Sequence, residues 1–229
     1  MNTLFNLTNW RRIKKGAGTV TALLAMADPT DRRAMRQAIL RDVPASVVEV
    51  DSKQDFHHAA TFSEIDLIVA DAEMWGAFTF DIIEQIRFGR LHCHAFPVVV
   101  MLSERRGGEV HQQLVDCGAD LVIPASGAAD AISDHLANLT DQRKPFVVVP
   151  HYIGPDRRSA ARANESSAEL IDVPNPLAAR AGAISEEEYR REISVAAHNI
   201  ALMRRGLYSI RQVGGMPVQA INDNKSLLA

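Results

Sequence analysis

Cysteine is scarce, with two in 229 residues, Cys93 and Cys117. Two thiols cannot build a disulfide framework, and such usage fits a reducing compartment. No run of 18 apolar residues occurs, so no membrane-spanning helix is expected. Residues 1–15 place their basic cluster after their apolar residues, the reverse of a secretory signal, and a cytoplasmic location is expected. Charge of either sign is nearly balanced, 25 Lys and Arg against 28 Asp and Glu, a net of -3. That balance gives no global pull toward nucleic acid. Basic residues do not gather on one predicted helix, and no helix-turn-helix pattern follows residue 140, so DNA-binding output is not expected.

Apolar residues make up 47% of the chain and charged residues 23%, which suffices for a buried core. The length fits one large domain, or one ordinary domain with extensions. Residues 1–17 read as an N-terminal arm, with Leu4, Phe5, Leu7, Trp10 and Ile13 interleaved with Arg11, Arg12, Lys14 and Lys15. An amphipathic segment docking on the body is one reading of it, and a contact with a membrane surface or acidic partner is another. From 18 to 142, short apolar runs alternate with helical periodicity. Strands are expected at Val20–Met26, Ser46–Val50, Ile65–Ala70, Pro97–Leu102 and Leu121–Ile123. Helices are expected at Pro29–Arg41, Lys53–Phe62, Phe78–Phe88, Glu109–Cys117 and Ala128–Leu139. Five strands alternating with five helices imply a parallel sheet covered on both faces, with ligand chemistry at the carboxyl ends of the strands.

Residues 143–182 carry five prolines, which argue against long helices and suggest an ordered but irregular linker packed by Phe146, Val148, Tyr152 and Ile153. Residues 183–213 read as an amphipathic helix. Ser185 and Glu188 have capping-box spacing. Tyr189, Ile193, Ala196, Ile200, Met203, Leu207 and Ile210 recur in steps of four and three, a heptad seam. Such a seam must be covered by a partner, a second copy or the chain itself. Residues 214–229 read as a flexible tail.

The strand ends resemble those of the receiver domain of two-component response regulators, the CheY-like domain. Asp71 closes the third strand (Leu67-Ile68-Val69-Ala70-Asp71) and is followed by Met74 and Gly76, as in the family's phosphoacceptor loop. Ser103 closes the fourth strand, where the family has Thr or Ser. Gly118-Ala119-Asp120 precedes the fifth, where the family has a similar triplet. The resemblance covers about half the chain. It implies a flavodoxin-like (βα)5 doubly wound sheet. It also implies Mg²⁺-assisted transfer of a phosphoryl group from a histidine to Asp71, with two acids after the first strand and a lysine after the fifth. This chain departs from that pattern. The acid pair aligns with Met26 and Ala27, followed by Asp28; the lysine aligns with Ala125 and the switch aromatic with Val122. The stretch Phe146–Arg158 and the later Ile171–Leu177 are similar to an extension that follows receiver-like domains in alphaproteobacterial proteins.

The departures imply a degenerate receiver, with Asp28 and Ser103 as remnants of a site and Asp71 either a strand-end carboxylate or a phosphoacceptor. No metal is expected unless Asp71 is phosphorylated, in which case Mg²⁺ is required. No Ser/His/Asp elbow marks an enzyme. His92-Cys93-His94 reads as a surface loop rather than a zinc site, and Cys117 as a buried small residue. Arg157, Arg158 and Arg162 form a basic linker patch for an acidic partner or, alternatively, a turn with Arg158 in a salt bridge. The function expected is regulation through protein contacts, with a histidine kinase or another regulator as partner. Tyr189, Ile193, Ile200, Met203 and Leu207 would serve as an interaction helix, including for a homodimer. The alternative is a response regulator phosphorylated on Asp71.

Overall fold

The computed structural model describes residues 18–91, 94–105, 107–158 and 170–205. Strands β1 (Val20–Ala25), β2 (Ala45–Val50), β3 (Leu67–Asp71), β4 (Val98–Leu102) and β5 (Leu121–Ile123) form a parallel sheet in the order β2-β1-β3-β4-β5. Between and after them run α1 (Pro29–Asp42), α2 (Lys53–Phe62), α3 (Ala77–Arg87), α4 (Gly108–Asp116) and α5 (Ala128–Asp141). This strand order is that of the flavodoxin-like, doubly wound fold.

The apolar strands alternate faces and so feed two cores. Leu24, Leu67, Val69, Val100 and Leu102 pack with Met35, Ile39, Ile132 and Leu136 on one face. Leu23, Ile68, Val99 and Met101 pack with Phe56, Ile82, Ile83 and Leu114 on the other.

The extension departs from the irregular linker that its prolines suggested. It forms β6 (Phe146–Val149), β7 (Tyr152–Pro155) and β8 (Leu170–Ile171), an antiparallel sheet in the order β7-β6-β8. Proline excludes a helix interior but not an edge strand, and Pro155 lies on edge strand β7. Next come α6 (Pro176–Arg180) and α7 (Glu186–Arg204), the latter capped by Ser185, whose Oγ accepts the Glu188 N–H at 3.1 Å.

The described part of the α7 seam is covered by its own chain, one of the three covers that the pattern left open. Tyr189, Ala196 and Ile200 are buried. Ala196 and Ile200 join a third core with Phe88, Phe96, Phe146, Ile153 and Ile171, against which Ile193 and Met203 also pack. The amino-terminal end of the sheet supplies the apolar partner that a lone amphipathic helix requires. Leu207 and Ile210 lie outside the described residues.

A buried ionic cluster joins this base to the sheet. Asp120 accepts from Arg87 Nη2 at 2.8 Å, Arg143 Nε at 2.9 Å and the Val99 N–H at 2.9 Å. Both guanidinium groups stack on the Phe146 ring, at 5.0 and 5.2 Å from its centroid. Arg87 also donates to the carbonyls of Gly118, Ala95 and Pro97, and Arg143 to those of Phe96, Pro97 and Pro174. Beside the cluster, the extension lies against the backbone of the turn before β5. A Cβ on Gly154 would stand 2.7 Å from Gly118 Cα, and one on Gly118 would stand 2.5 Å from the Ile153 carbonyl oxygen. Glycine is needed at both places, and Gly118 also has φ +87°.

Burial alone would raise the Asp120 carboxyl, but the two guanidinium charges override it and hold it below the ordinary value. A depressed carboxyl contributes stability that is full above about pH 4 and drains as the pH falls below it. Asp120→Asn leaves two buried guanidinium groups without an anion and is expected to cost about 3–5 kcal/mol at pH 7. Arg105→Gln, at an exposed ion pair, is expected to cost under about 1 kcal/mol. Urea unfolding checks both, and equal costs would contradict the assignment.

Candidate functional site

The order β2-β1-β3 places a chain reversal between β1 and β3, and doubly wound sheets form their crevice outside the carboxyl ends at that point. Asp71 stands there as the last residue of β3. Its Oδ1 accepts the Glu73 N–H at 2.8 Å, and its carbonyl accepts the Met74 N–H at 3.3 Å. Partial burial pushes the Asp71 carboxyl above its ordinary value. The Glu73 N–H opposes this, while the charges of Glu73 and Asp31 reinforce it.

Asp28 follows β1 and caps α1. Its Oδ1 accepts the Thr30 N–H at 2.7 Å and the Asp31 N–H at 3.0 Å. Those backbone donors, Asp31 first and Thr30 second, hold its carboxyl below the usual range. Met26 is buried in the core, and its carbonyl accepts from Arg32 at 3.0 Å. Ala27 and Ala125 are exposed. Ser103 is buried, and its Oγ accepts the Arg105 N–H at 3.1 Å, a loop-closing role.

The loop after β4 carries charged groups that sequence reasoning missed. Arg105 pairs with Glu73 at 3.0 Å, which brings a cation beside the Asp71 loop but occupies it with another carboxylate. Glu104 accepts the Ser126 N–H in the loop after β5. Both contacts cross between loops more than twenty positions apart, so no local spacing announces them. Trp75 packs against Phe56 at 5.5 Å and Phe78 at 6.2 Å between ring centroids.

Magnesium takes about six oxygens in near-octahedral geometry. At this crevice Asp28 Oδ1 caps α1, Met26 places its thioether in the core, and the Ala27 side chain is only a methyl group. Among the described residues, no group of three His, Cys, Asp or Glu side chains is placed to hold a metal.

The other sequence candidates fall elsewhere. Arg158 closes an ion pair with Asp156, at 2.8 and 3.0 Å. Arg157 donates to the Ala119 carbonyl at 2.5 Å, tying the extension to the turn before β5. Arg162 lies outside the described residues, as do His92 and Cys93. His94 Nδ1 accepts the Phe96 N–H at 3.1 Å. Burial, helped by the charges of Arg143, Arg87 and Arg180, pushes the His94 ring down to about 4, so it is neutral at pH 7. Cys117 is buried and its thiol pushed up to about 11, which leaves it unreactive.

No protein-family model matches the chain, and no curated protein sequence does. Several solved structures do. The signal receiver domain of the putative response regulator NarL from Mycobacterium tuberculosis is 16% identical, with a TM-score of 0.47, over 55% of this chain and 99% of that one. A response regulator from Thermotoga maritima is 18% identical, with a TM-score of 0.46, over 54% and 99%. The chemotaxis protein CheY4 of Vibrio cholerae is 18% identical, with a TM-score of 0.44, over 52% and 97%.

A carboxyl raised in the folded state costs stability at neutral pH, and that cost disappears as the pH falls through its folded-state value. Asp71→Asn is therefore expected to raise the urea midpoint at pH 7, with a gain that shrinks on acidification. A lowered midpoint at pH 7 would show that the Asp71 charge is compensated by groups not identified above.

Proposed function

We propose that this chain is a signal-transduction regulatory protein whose receiver-type sheet serves as a scaffold for contact with another protein, with little or no Mg²⁺-dependent phosphorylation of Asp71. The observation that carries this reading is the composition of the crevice at β1, β3 and β5. Phosphoryl transfer to a carboxylate depends on positioning and on neutralising the charge that gathers on the transferred group. Here the Met26 and Ala27 side chains supply no oxygen to a metal, Ala125 supplies no cation, and the Arg105 guanidinium is paired with Glu73. The partner expected is a protein, such as a histidine kinase or another regulator.

A second reading, a response regulator phosphorylated on Asp71, is supported by one feature. Asp71 ends β3 at the chain reversal and is half-buried, a position from which a carboxylate can meet a donor.

A small phosphodonor separates the two. With acetyl phosphate and Mg²⁺, the unaltered chain and Asp71→Ala are expected to incorporate phosphate equally little. The double change Ala27→Asp with Ala125→Lys, at two exposed positions, adds an acid and a cation. Such groups are worth several kcal/mol each, so incorporation is expected to rise about a hundredfold or more. Mg²⁺-dependent incorporation in the unaltered chain that Asp71→Ala abolishes would favour the second reading.

A further inference from the structure

His94 stands in the loop before β4, at the amino-terminal end of the sheet. Tyr189 of α7 packs edge-on against its ring, at 6.3 Å between centroids. His94 Nδ1 accepts the Phe96 N–H at 3.1 Å. The neutral ring therefore carries its proton on Nε2, which lies 3.5 Å from Tyr189 Oη. An added proton must go to Nδ1. It would set N–H against N–H there, and the Phe96 amide would lose its acceptor.

The charges around the ring oppose a cation. Arg143 from the start of the extension, Arg87 from α3 and Arg180 from α6 all act on it with the same sign. The carboxylates beside them are committed elsewhere. Asp120 is paired with Arg87 and Arg143, Asp66 with Arg180, and Glu186 with Arg180 and Arg190. Glu64 lines, with His94, a groove of about 730 Å³ between the end of α2 and the first turns of α7. That groove offers a charged ring water and a carboxylate once it turns away from the Phe96 N–H. These are the charged groups of the packed elements among the described residues; residues 1–17, His92 and Cys93 lie outside them.

Tyr189 carries the state of the ring to α7. It is 2% exposed, and Arg180 stacks 5.5 Å from its centroid. Ala196 and Ile200, further along α7, are anchored separately in the third core. We propose that His94 is an acid-sensitive latch for the first turns of α7, which protonation at Nδ1 releases from the base while the main sheet stays closed. The inference stands whether or not Asp71 accepts a phosphoryl group.

Burial and the three arginines push the closed ring down to about 4, against an ordinary 6.5. A histidine lowered in the closed state takes its proton more readily when open, so opening is favoured as the pH falls from 6.5 toward 4. Between pH 7 and pH 5 those two values ease opening about twentyfold. Two other carboxyls behave differently. Asp66, which burial raises, opposes opening as the pH falls, and Asp120, held low, gives way below about pH 4.

Nuclear magnetic resonance on the full chain tests the latch at two points. The His94 ring is expected to titrate near pH 4 rather than 6.5, a readout that needs no variant. Native-state exchange, corrected for intrinsic rates, is expected to show the helical amides of Ile193 and Ser194 opening about twentyfold more readily at pH 5 than at pH 7. At pH 5 that opening is cheaper than the one exposing Val99 and Val100 in β4. His94→Asn keeps an acceptor for the Phe96 N–H but has no titrating ring, and is expected to remove the twentyfold dependence. A ring that titrates at 6.5 would overturn the proposal. So would opening of α7 that is unchanged between pH 7 and pH 5, or that changes equally in His94→Asn. Equal opening free energies in α7 and β4 at pH 5 would make the acid step global and overturn it too.

Discussion

Asp120 is a carboxylate taken out of water between two guanidinium groups that are out of water too. Alone, each charge would be costly to bury. Together they fill one another's hydrogen-bonding capacity, with carbonyls on both sides of the junction taking the remaining N–H groups. Such clusters contribute little net stability compared with apolar residues of the same shape, but removing one member is severe. What the cluster imposes is arrangement. Arg87 comes from the end of α3, Asp120 from the turn before β5, and Arg143 from the start of the extension, and Phe146 lies against both arginines. The extension is thereby fixed on the amino-terminal end of the sheet, with Gly154 against Gly118 and Arg157 on the Ala119 carbonyl. A boundary drawn between residues 142 and 143 cuts through the cluster.

The two ends of the sheet are consequently unlike. The carboxyl end carries a carboxylate, Asp71, with like charges near it, and Arg105 of the neighbouring loop is paired with Glu73. The amino end carries a third apolar core and the apolar stripe of α7. In the functional reading proposed above, the molecule would act through the surface that this welded body presents rather than through a change of charge in the crevice.

The main sheet was legible because its strands are short apolar runs and its helices have clear periodicity; observed and expected ends differ by two residues at most. Asp71 at the end of β3 and the cap at Ser185 follow from local pattern, and both are where local pattern puts them. The small antiparallel sheet was obscured by prolines, which remove N–H donors but are tolerated at strand ends and edges. The ionic cluster was hidden by distance along the chain. One sign was present, since Arg87 lies four residues after Ile83 on the apolar face of α3, where an arginine needs a buried anion. The direction in which α7 faces could not be read at all, because a heptad seam is the same whether its cover is a second copy or the chain's own base.

Native-state hydrogen exchange tests most directly whether the extension and the sheet are one cooperative body. If Asp120, Arg87 and Arg143 weld them, the ladder amides of Phe146 and Val147 in β6 open with the same free energy as those of Val99 and Val100 in β4. Exchange in β6 through an opening several kcal/mol cheaper than that of β4 would contradict the account and make the extension a separable appendage.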